Sequence, residues 1–331
     1  MSSALQNRPR LKHGFALIPL DESTAMLKSA ERAIRLSGAA ATILMPRVIP
    51  LLDGEHTVGE IAAAVGVDET TINRVITLLG ENQLLEREAP VAAGAAPELA
   101  AFLNAVTSAW VQPDQEGAVA TKKVLVIAGW GEDETSLGYA FRQNLTRLGV
   151  GQVQSVTAEL DRPWDDLVAG SDLVMFMPAK PLLPVRAAVH KACLAAKVKL
   201  CSAEFLSSTS LALGPTVIPG ETACWTCLDR RQKGAQEFYT ELLATQRFLE
   251  QHPEVDPVGA RLPALTQMLA GLAAFEALRV LTNVYPPVTV GSMVIFNAID
   301  YTMEQHPILK LPRCPDCSPV REQPMRRVWS W

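Results

Sequence analysis

Residues 122–156 read KKVLVIAGWGEDETSLGYAFRQNLTRLGVGQVQSV. The apolar run 124–128 is typical of a buried strand, residues 136–148 show helical periodicity, and 153–156 form a second short strand. The alternation continues downstream in a strand, a helix and a strand, at 172–177, 185–197 and 198–202. This pattern predicts an α/β domain built on a doubly wound parallel sheet.

The same domain is expected to extend to the end of the sequence. Two long helical stretches lie near residues 236–251 and 263–281, and a late strand is predicted at 293–297. We therefore place this domain at residues 122–331.

Composition narrows the class of protein. Of the 331 residues 48% are hydrophobic and the net charge is −5, which is typical of a globular chain with two or three domains. Residues 1–14 lack the apolar core of a secretory signal, and no stretch reaches the roughly 18 uninterrupted apolar residues of a membrane span. We expect a cytoplasmic protein that neither binds nucleic acid nor enters a membrane.

Two CxxC pairs, Cys224/Cys227 and Cys314/Cys317, match the ligand set of a tetrahedral structural zinc. The 86 residues between them (314 − 227 − 1) exceed a zinc-finger loop, so the metal is expected to join distant parts of one domain. A redox CxxC pair or two disulfides is the alternative, which a reducing cytoplasm disfavours. The two other cysteines are expected to be ordinary buried thiols, Cys193 and Cys201.

Residues 1–88 form a separate predicted unit. Three short strands are expected at 15–20, 24–28 and 32–36, followed by a helix over 39–52. Thr57 and Glu60 form a capping box that opens a helix at 58–65, and a third helix begins at 68–69. This order predicts a small winged helix-turn-helix, followed by a linker, 89–121, with a bridging helix near 99–110.

The charge of this unit argues against DNA. Residues 1–88 carry nine Lys or Arg against eleven Asp or Glu. The third helix, which would enter the major groove, carries Arg74 together with Glu69 and Glu81. A DNA-binding regulator therefore remains only as an alternative function.

The run 51–61, LLDGEHTVGEI, resembles the LDGxxTxxEI signature of PqqD-like RiPP recognition elements. That resemblance implies a domain that binds the leader segment of a ribosomal precursor peptide. The edge strand 32–36 can accept the leader as an added strand, and proline at Ile34 is then expected to remove an edge donor. The predicted contact residues lie on this strand and on the third helix: Arg32, Ile34, Arg35, Leu36, Arg74 and Leu78. The arginines would meet acidic leader residues, although each is equally consistent with a solvated surface charge.

Residues 124–156 resemble the start of the E1-like, ThiF-type adenylating fold, in which a strand, a GxGGxG turn and a helix precede a GVG segment. The SLG at 136–138 and the LGVG at 148–151 agree with that pattern. The glycine turn does not, because Gly129-Trp130-Gly131 is followed by the acidic Glu132-Asp133-Glu134, which would repel phosphates.

Two further positions depart from the same family. Its ribose-binding acid aligns with Thr157, and the aspartate of its TDN segment falls near Pro178-Ala179. The resemblance therefore implies an E1-like domain that does not bind ATP. Residues 214–227 and 306–317 resemble the two segments of that family's zinc knuckle.

Together these features resemble the E1-like partner, or C protein, of azoline-forming cyclodehydratases in thiazole/oxazole-modified microcin (TOMM) biosynthesis. The resemblance implies a non-catalytic subunit that binds a precursor leader and presents it to a YcaO protein, which forms thiazolines or oxazolines with ATP. A homodimer through the E1-like domain is a further expectation. The rival enzyme-class hypothesis is an E1-like enzyme that adenylates a peptide C-terminus.

Overall fold

The computed structural model describes residues 7–30, 32–86, 96–106, 119–129, 135–180, 182–252, 254–283 and 285–318. The chain divides into two compact units, Met1–Asp114 and Gln115–Trp331. Of the predicted linker 89–121, residues 89–95 and 107–118 lie outside the described residues.

The first unit pairs a small sheet with helices. Strands β1 (Ala16–Pro19), β2 (Thr24–Lys28) and β3 (Ala33–Ser37) form an antiparallel sheet in that order. A helical segment over 40–51 contains α1 (Met45–Val48), and α2 (Val58–Val65) and α3 (Glu69–Glu81) follow, with α4 (Pro97–Val106) after a gap. Each predicted element of residues 1–86 is present within about two residues of its expected bounds.

The core of the first unit follows from the apolar periodicity of α3. Ile72, Val75, Ile76 and Leu79 are buried against Leu27 of β2 and the apolar side chains of α2. The capping box predicted at Thr57 is present, since Glu60 N donates to Thr57 Oγ1 at 3.3 Å and Thr57 N to Glu60 Oε2 at 2.7 Å. Capping fixes where α2 begins and so where its apolar face meets the sheet.

The second unit is built on a seven-stranded sheet. Its parallel half consists of β4 (Lys123–Ala128), β5 (Gln152–Thr157), β6 (Leu173–Met177) and β7 (Lys199–Phe205). Its antiparallel half consists of β8 (Ser210–Leu213), β9 (Ser292–Asn297) and β10 (Thr302–Pro307). The strand order is β10-β9-β8-β7-β6-β4-β5.

The four strands on which the parallel-sheet prediction rests, β4 to β7, are parallel. The three further strands are antiparallel, so the complete sheet is mixed and not wholly parallel. Only four residues separate β7 from β8, and Leu206 N closes this turn on Ser210 O at 2.8 Å. A parallel pair needs a crossover of a dozen or more residues, so a connection this short requires an antiparallel hairpin. The same holds for the short connection from β9 to β10.

The α-helices described in this unit are α5 (Leu137–Arg147), α6 (Trp164–Val168), α7 (Leu183–Ala196), α8 (Trp225–Gly234), α9 (Tyr239–Gln251) and α10 (Pro263–Thr282). Of these, α5, α7 and α10 pack directly against the strands, whereas α9 has no buried residue. A Cβ on Gly138 would lie 2.6 Å from Ala128 Cβ, so glycine there lets α5 approach β4 closely.

Among the described helices, α10 is long and apolar enough by length and composition to cross a membrane. It packs against α5 and the sheet strands β6, β7 and β8, and more than half of it is buried. Its buried Glu276 accepts from Thr289 N at 2.8 Å. These contacts describe a core helix of the fold.

Candidate metal centre and peptide-binding edge

The fold brings the four predicted ligand cysteines together. Cys224 precedes α8 and Cys227 lies in its first turn, while Cys314 and Cys317 lie in the turn after β10. Sγ of Cys224 lies 3.8 Å from Cys227 Sγ and 3.5 Å from Cys314 Sγ, and Cys227 Sγ lies 3.5 Å from Cys317 Sγ. Sulfurs about 2.3 Å from a tetrahedral zinc are separated by about 3.8 Å, so the four thiols fit such an ion.

Contacts around the sulfurs tie the two CxxC turns to each other. Thr226 Oγ1 donates to Asp316 Oδ2, which joins the third residue of one CxxC motif to the third residue of the other. Leu311 N donates to Cys227 Sγ at 3.3 Å, and Arg231 Nε donates to Leu309 O at 2.8 Å. The knuckle, as we call residues 224–227 and 314–317, is therefore held by protein contacts on both sides.

The thiols differ in how readily they ionise. Burial raises the pKa of Cys224 far above its ordinary value. Burial also acts to raise the pKa of Cys314, but N–H groups of Cys317 and Asp316 oppose it, and the pKa falls to about 7. A metal that binds all four thiolates must therefore displace protons, most of all from Cys224.

Beside the knuckle lies His190 of α7, which the sequence did not single out. Its side chain is 2% exposed, and neither ring nitrogen has a hydrogen-bond partner among the described residues. Burial lowers its pKa to about 4, against an opposing effect of Asp316, so the ring is neutral at pH 7. His190, Cys224 and Asp316 place their polar atoms within 4.8 Å of one another.

In the first unit, the register of β2 and β3 decides which backbone groups face outward. Ser29 N donates to Arg32 O at 2.7 Å and Gly38 N to Ser23 O at 2.8 Å. Along an antiparallel ladder, residue pairs that exchange backbone hydrogen bonds alternate with pairs that do not. Because Arg32 and Gly38 bond to the β2 side, Ile34 and Leu36, which lie between them at every second position, also bond to β2. The N–H and C=O groups of Ala33, Arg35 and Ser37 therefore face the free edge of the sheet, since β3 pairs only with β2 among the described strands.

The opposite edge of the sheet is less suited to strand addition. Leu20 N bonds to Thr24 O at 2.9 Å, so by the same alternation Leu17 and Pro19 of β1 face outward. Proline has no N–H to donate, which is one way in which proteins protect an edge strand. Of the two edges, β3 is therefore the better suited to accept a peptide strand.

Four of the six predicted contact residues lie on or next to this edge strand, and the other two lie on α3. Arg32 Nη1 donates to Asn82 O at the end of α3 at 2.8 Å, which joins β3 to that helix. Arg35 is exposed on β3, and Arg74 and Leu78 are exposed one turn apart on α3. The side chains of the two remaining residues, Ile34 and Leu36, are half-buried against the core.

One expectation at this edge is wrong. Proline at Ile34 would not remove an edge donor, because the Ile34 N–H points toward β2. The side-chain pattern of a strand does not reveal which of its amides face the neighbouring strand. That depends on the hydrogen-bond phase, by which we mean which of the alternate residue pairs exchange backbone hydrogen bonds.

The residues of the LDGxxTxxEI motif make contacts within their own loop. Asp53 Oδ1 accepts from Glu55 N at 2.7 Å and His56 N at 3.1 Å, and Oδ2 lies 2.8 Å from His56 Nδ1. These bonds hold the pKa of Asp53 down at about 2. The motif therefore shapes the turn before α2, and the candidate peptide edge lies on other residues.

The motif positions of a nucleotide site meet at the carboxyl edge of the second sheet. Ala128 pairs with both Thr157 and Met177, so the ends of β4, β5 and β6 lie side by side. A cavity of about 390 Å³ opens there, lined by residues that include Gly129, Ser136 and Ala179. The acidic segment 132–134 lies outside the described residues.

The side chains at this edge differ from those of a ribose site. Arg162 Nη2 donates to Thr157 Oγ1 at 2.6 Å and pairs with Glu159 at 3.2 Å. A Cβ on Gly129 would lie 2.4 Å from Ala179 Cβ, so the chain after β6 crowds this glycine. No carboxylate stands at Thr157 or at 178–179, so these positions do not fit the ribose and phosphate contacts of the family.

A model of the ThiF family matches residues 140–318. The solved structure of the heterocyclase TruD matches with a TM-score of 0.70 at 24% identity, over 94% of this chain and 43% of that chain. A heterocyclase in complex with substrate and cofactor gives a TM-score of 0.70 at 21% identity, over 94% of this chain and 39% of that chain. The chain thus spans less than half the length of these heterocyclases, and the likeness shows the fold.

Crystal structures of E. coli MccB also match. MccB with succinimide gives a TM-score of 0.59 at 11% identity, over 94% of this chain and 99% of that chain. MccB has been solved with ATP and with MccA. No curated protein sequence matches the chain.

Proposed function

The chain belongs to the ThiF family, and on that premise we propose that it is the leader-binding partner of a YcaO-type cyclodehydratase in TOMM biosynthesis. It binds the leader of a ribosomal precursor and presents the following segment to the YcaO protein. That partner uses ATP to convert Cys, Ser or Thr residues into azolines, and this chain has no turnover of its own. Tethering the substrate raises its effective concentration at the partner's active site.

The observation that carries this proposal is the heterocyclase match. It covers 94% of this chain, and so includes both units. The shared fold of both units supports a role for this chain in heterocycle formation on a peptide.

We assign residues 1–88, which lie within the first unit, as a winged helix-turn-helix RiPP recognition element. The open β3 edge supports docking of the leader as an added strand, with Ala33, Arg35 and Ser37 supplying the backbone groups. Arg35 on the strand and Arg74 on α3 favour acidic residues in the leader.

We assign the knuckle as a structural zinc site with Cys224, Cys227, Cys314 and Cys317 as ligands. The sulfur separations of 3.5–3.8 Å support this assignment. Four protein ligands leave no open coordination position, so the ion stabilises the fold and supplies no catalysis.

A second function, adenylation of a peptide C-terminus, is favoured by one observation. The chain covers 99% of MccB, which has been solved with ATP. Against it stand Thr157 and Ala179, where the resemblance expects carboxylates. We therefore propose that this chain does not bind ATP.

Reconstitution with the YcaO protein and the precursor of the same gene cluster tests the proposal. Mass spectrometry counts the waters lost from the precursor with and without this chain. We expect extensive loss only when both proteins are present, and little loss when Arg35→Pro replaces the native chain. Equal loss without this chain would contradict the proposal, and ATP-dependent modification by this chain alone would establish the adenylating alternative.

A further inference from the structure

His190 is a buried polar side chain that the fold leaves unsatisfied. It lies on α7, 2% exposed, and both ring nitrogens lack a partner among the described residues. Its Nε2 lies 3.9 Å from Asp316 Oδ2, which is beyond hydrogen-bond distance. A buried polar group without a partner costs about 1–3 kcal/mol, so its retention calls for an explanation.

The second observation is the charge that a filled knuckle would carry. Zinc with four thiolates has two negative charges in excess, and Asp316 adds another at its border. Three of the four cysteines are 0% exposed, so water has little access to these charges. Buried negative charge of this kind requires nearby N–H donors.

Several donors surround the knuckle. Leu311 N donates to Cys227 Sγ, and Thr226 Oγ1 donates to Asp316. The backbone N–H of Cys227 donates to Cys224 Sγ, and the imidazole of His190 lies within 4.8 Å of the same sulfur. The unsatisfied imidazole is therefore the neighbour of a sulfur that, as a thiolate, can accept a further hydrogen bond.

We propose that His190 is a positioning residue of the metal site, which donates a hydrogen bond from Nε2 to the Cys224 thiolate when the knuckle holds zinc. The inference rests on the proposed zinc site. Asp316 Oδ2 lies 3.9 Å from Nε2, and a carboxylate on that side of the imidazole favours the tautomer that carries its proton on Nε2. The bond links α7, and through it the sheet, to the metal.

This role differs from direct ligation. Three of the sulfur–sulfur distances are 3.5–3.8 Å, and all four sulfurs lie within 4.8 Å of one another. Four thiolates complete a tetrahedral zinc site, so a histidine ligand would have to displace one of them. Cobalt substitution separates the two cases, because the thiolate-to-metal absorption band weakens when a sulfur is replaced by nitrogen.

The test uses the full chain and three variants. His190→Leu removes the donor at similar volume, and His190→Gln keeps an N–H near the position of Nε2. Cys193→Ala perturbs the same helix one turn away, in a buried position. Zinc transfer to a competing chelator gives the metal affinity, and the cobalt-loaded proteins give the absorption spectrum.

We expect His190→Leu to lose about 10–100-fold in zinc affinity, as outer-shell partners typically do. His190→Gln should recover most of the lost zinc affinity, and Cys193→Ala should bind zinc as tightly as wild type. The cobalt spectra of all four proteins should show four thiolate ligands. Equal zinc affinity in His190→Leu and wild type would overturn the inference, as would a cobalt spectrum with fewer thiolates in wild type.

Two further outcomes keep the inference distinct from the zinc proposal. Wild-type protein without zinc would overturn the metal site itself, whereas zinc-bound wild type with an insensitive His190→Leu would overturn only the role of His190. If His190→Leu fails to fold, NMR of the zinc-loaded wild-type protein can show whether the imidazole N–H of His190 is hydrogen-bonded. A slowly exchanging imidazole N–H supports the bond, and a freely exchanging one refutes it.

Discussion

Replacing Arg35 by proline tests leader docking at a single backbone amide. The Arg35 N–H faces the free edge of β3, and Arg35 is the middle one of the three outward-facing residues, Ala33, Arg35 and Ser37. Proline is tolerated on an edge strand where its missing N–H would face solvent. The variant should therefore fold but lose the central donor for the leader.

The expected magnitude follows from that one bond. A net backbone hydrogen bond is worth about 0.5–1.5 kcal/mol, and a leader carbonyl left without a partner adds to the cost. A total of about 2 kcal/mol corresponds to a roughly 30-fold weaker Kd. Arg35→Ala removes the charge alone, which is worth about 0.2–1 kcal/mol for an exposed pair, or less than about sixfold.

Fluorescence anisotropy with a labelled leader peptide, on the full chain, measures these constants. Ile34→Pro is the matched contrast, because the Ile34 N–H bonds to β2 and its side chain packs on the core. We expect that variant to lower the melting temperature of the first unit, whereas Arg35→Pro should leave it nearly unchanged. If Arg35→Pro binds the leader as tightly as Arg35→Ala, strand addition at β3 is wrong. If Ile34→Pro melts like wild type, the deduced hydrogen-bond phase is wrong.

Three other changes test the metal site, the motif loop and the helix–sheet contact. Cys227→Ser should abolish bound zinc in elemental analysis and lower the melting temperature, because a structural metal contributes to folding, while Cys193→Ala should keep both. Asp53→Asn should lower the melting temperature at pH 7. Since the folded pKa of Asp53 is depressed to about 2, the gap to wild type should close as the pH falls from about 4 toward 2. A difference in melting temperature that stays constant as the pH falls would refute this explanation. Gly138→Ala should destabilise the second unit by about 1–3 kcal/mol in urea, because the added Cβ would lie 2.6 Å from Ala128 Cβ.

Elements with a strong local signal could be predicted from the sequence. Helix α2 has the bounds that the sequence predicts, and the capping box of Thr57 and Glu60 is the local signal for its start. The structure shows that Gly66, with a φ of 77°, ends it. The four cysteines of the knuckle were predicted from their spacing, and the fold brings their sulfurs together.

Features that depend on distant partners could not. Strand β10 is exposed along its whole length and lacks the alternation that marks a half-buried strand. Helix α8 was missed because its polar sequence follows directly on Cys224 and gave no apolar stripe. The outward direction of the Arg35 amide and the position of His190 depend on tertiary contacts, which no local pattern encodes.

The wide separation of the two cysteine pairs also sets an order of events during synthesis. Cys224 and Cys314 lie 90 residues apart, so at about 5–20 residues per second the second pair leaves the ribosome roughly 5–20 s after the first. During that interval Cys224 and Cys227 have only each other as protein ligands, and β9 and β10 have not yet been made. Binding of one metal ion by all four thiols would therefore require a chain translated beyond Cys317, and a chain terminated before Cys314 would expose the first pair of thiols without its partners.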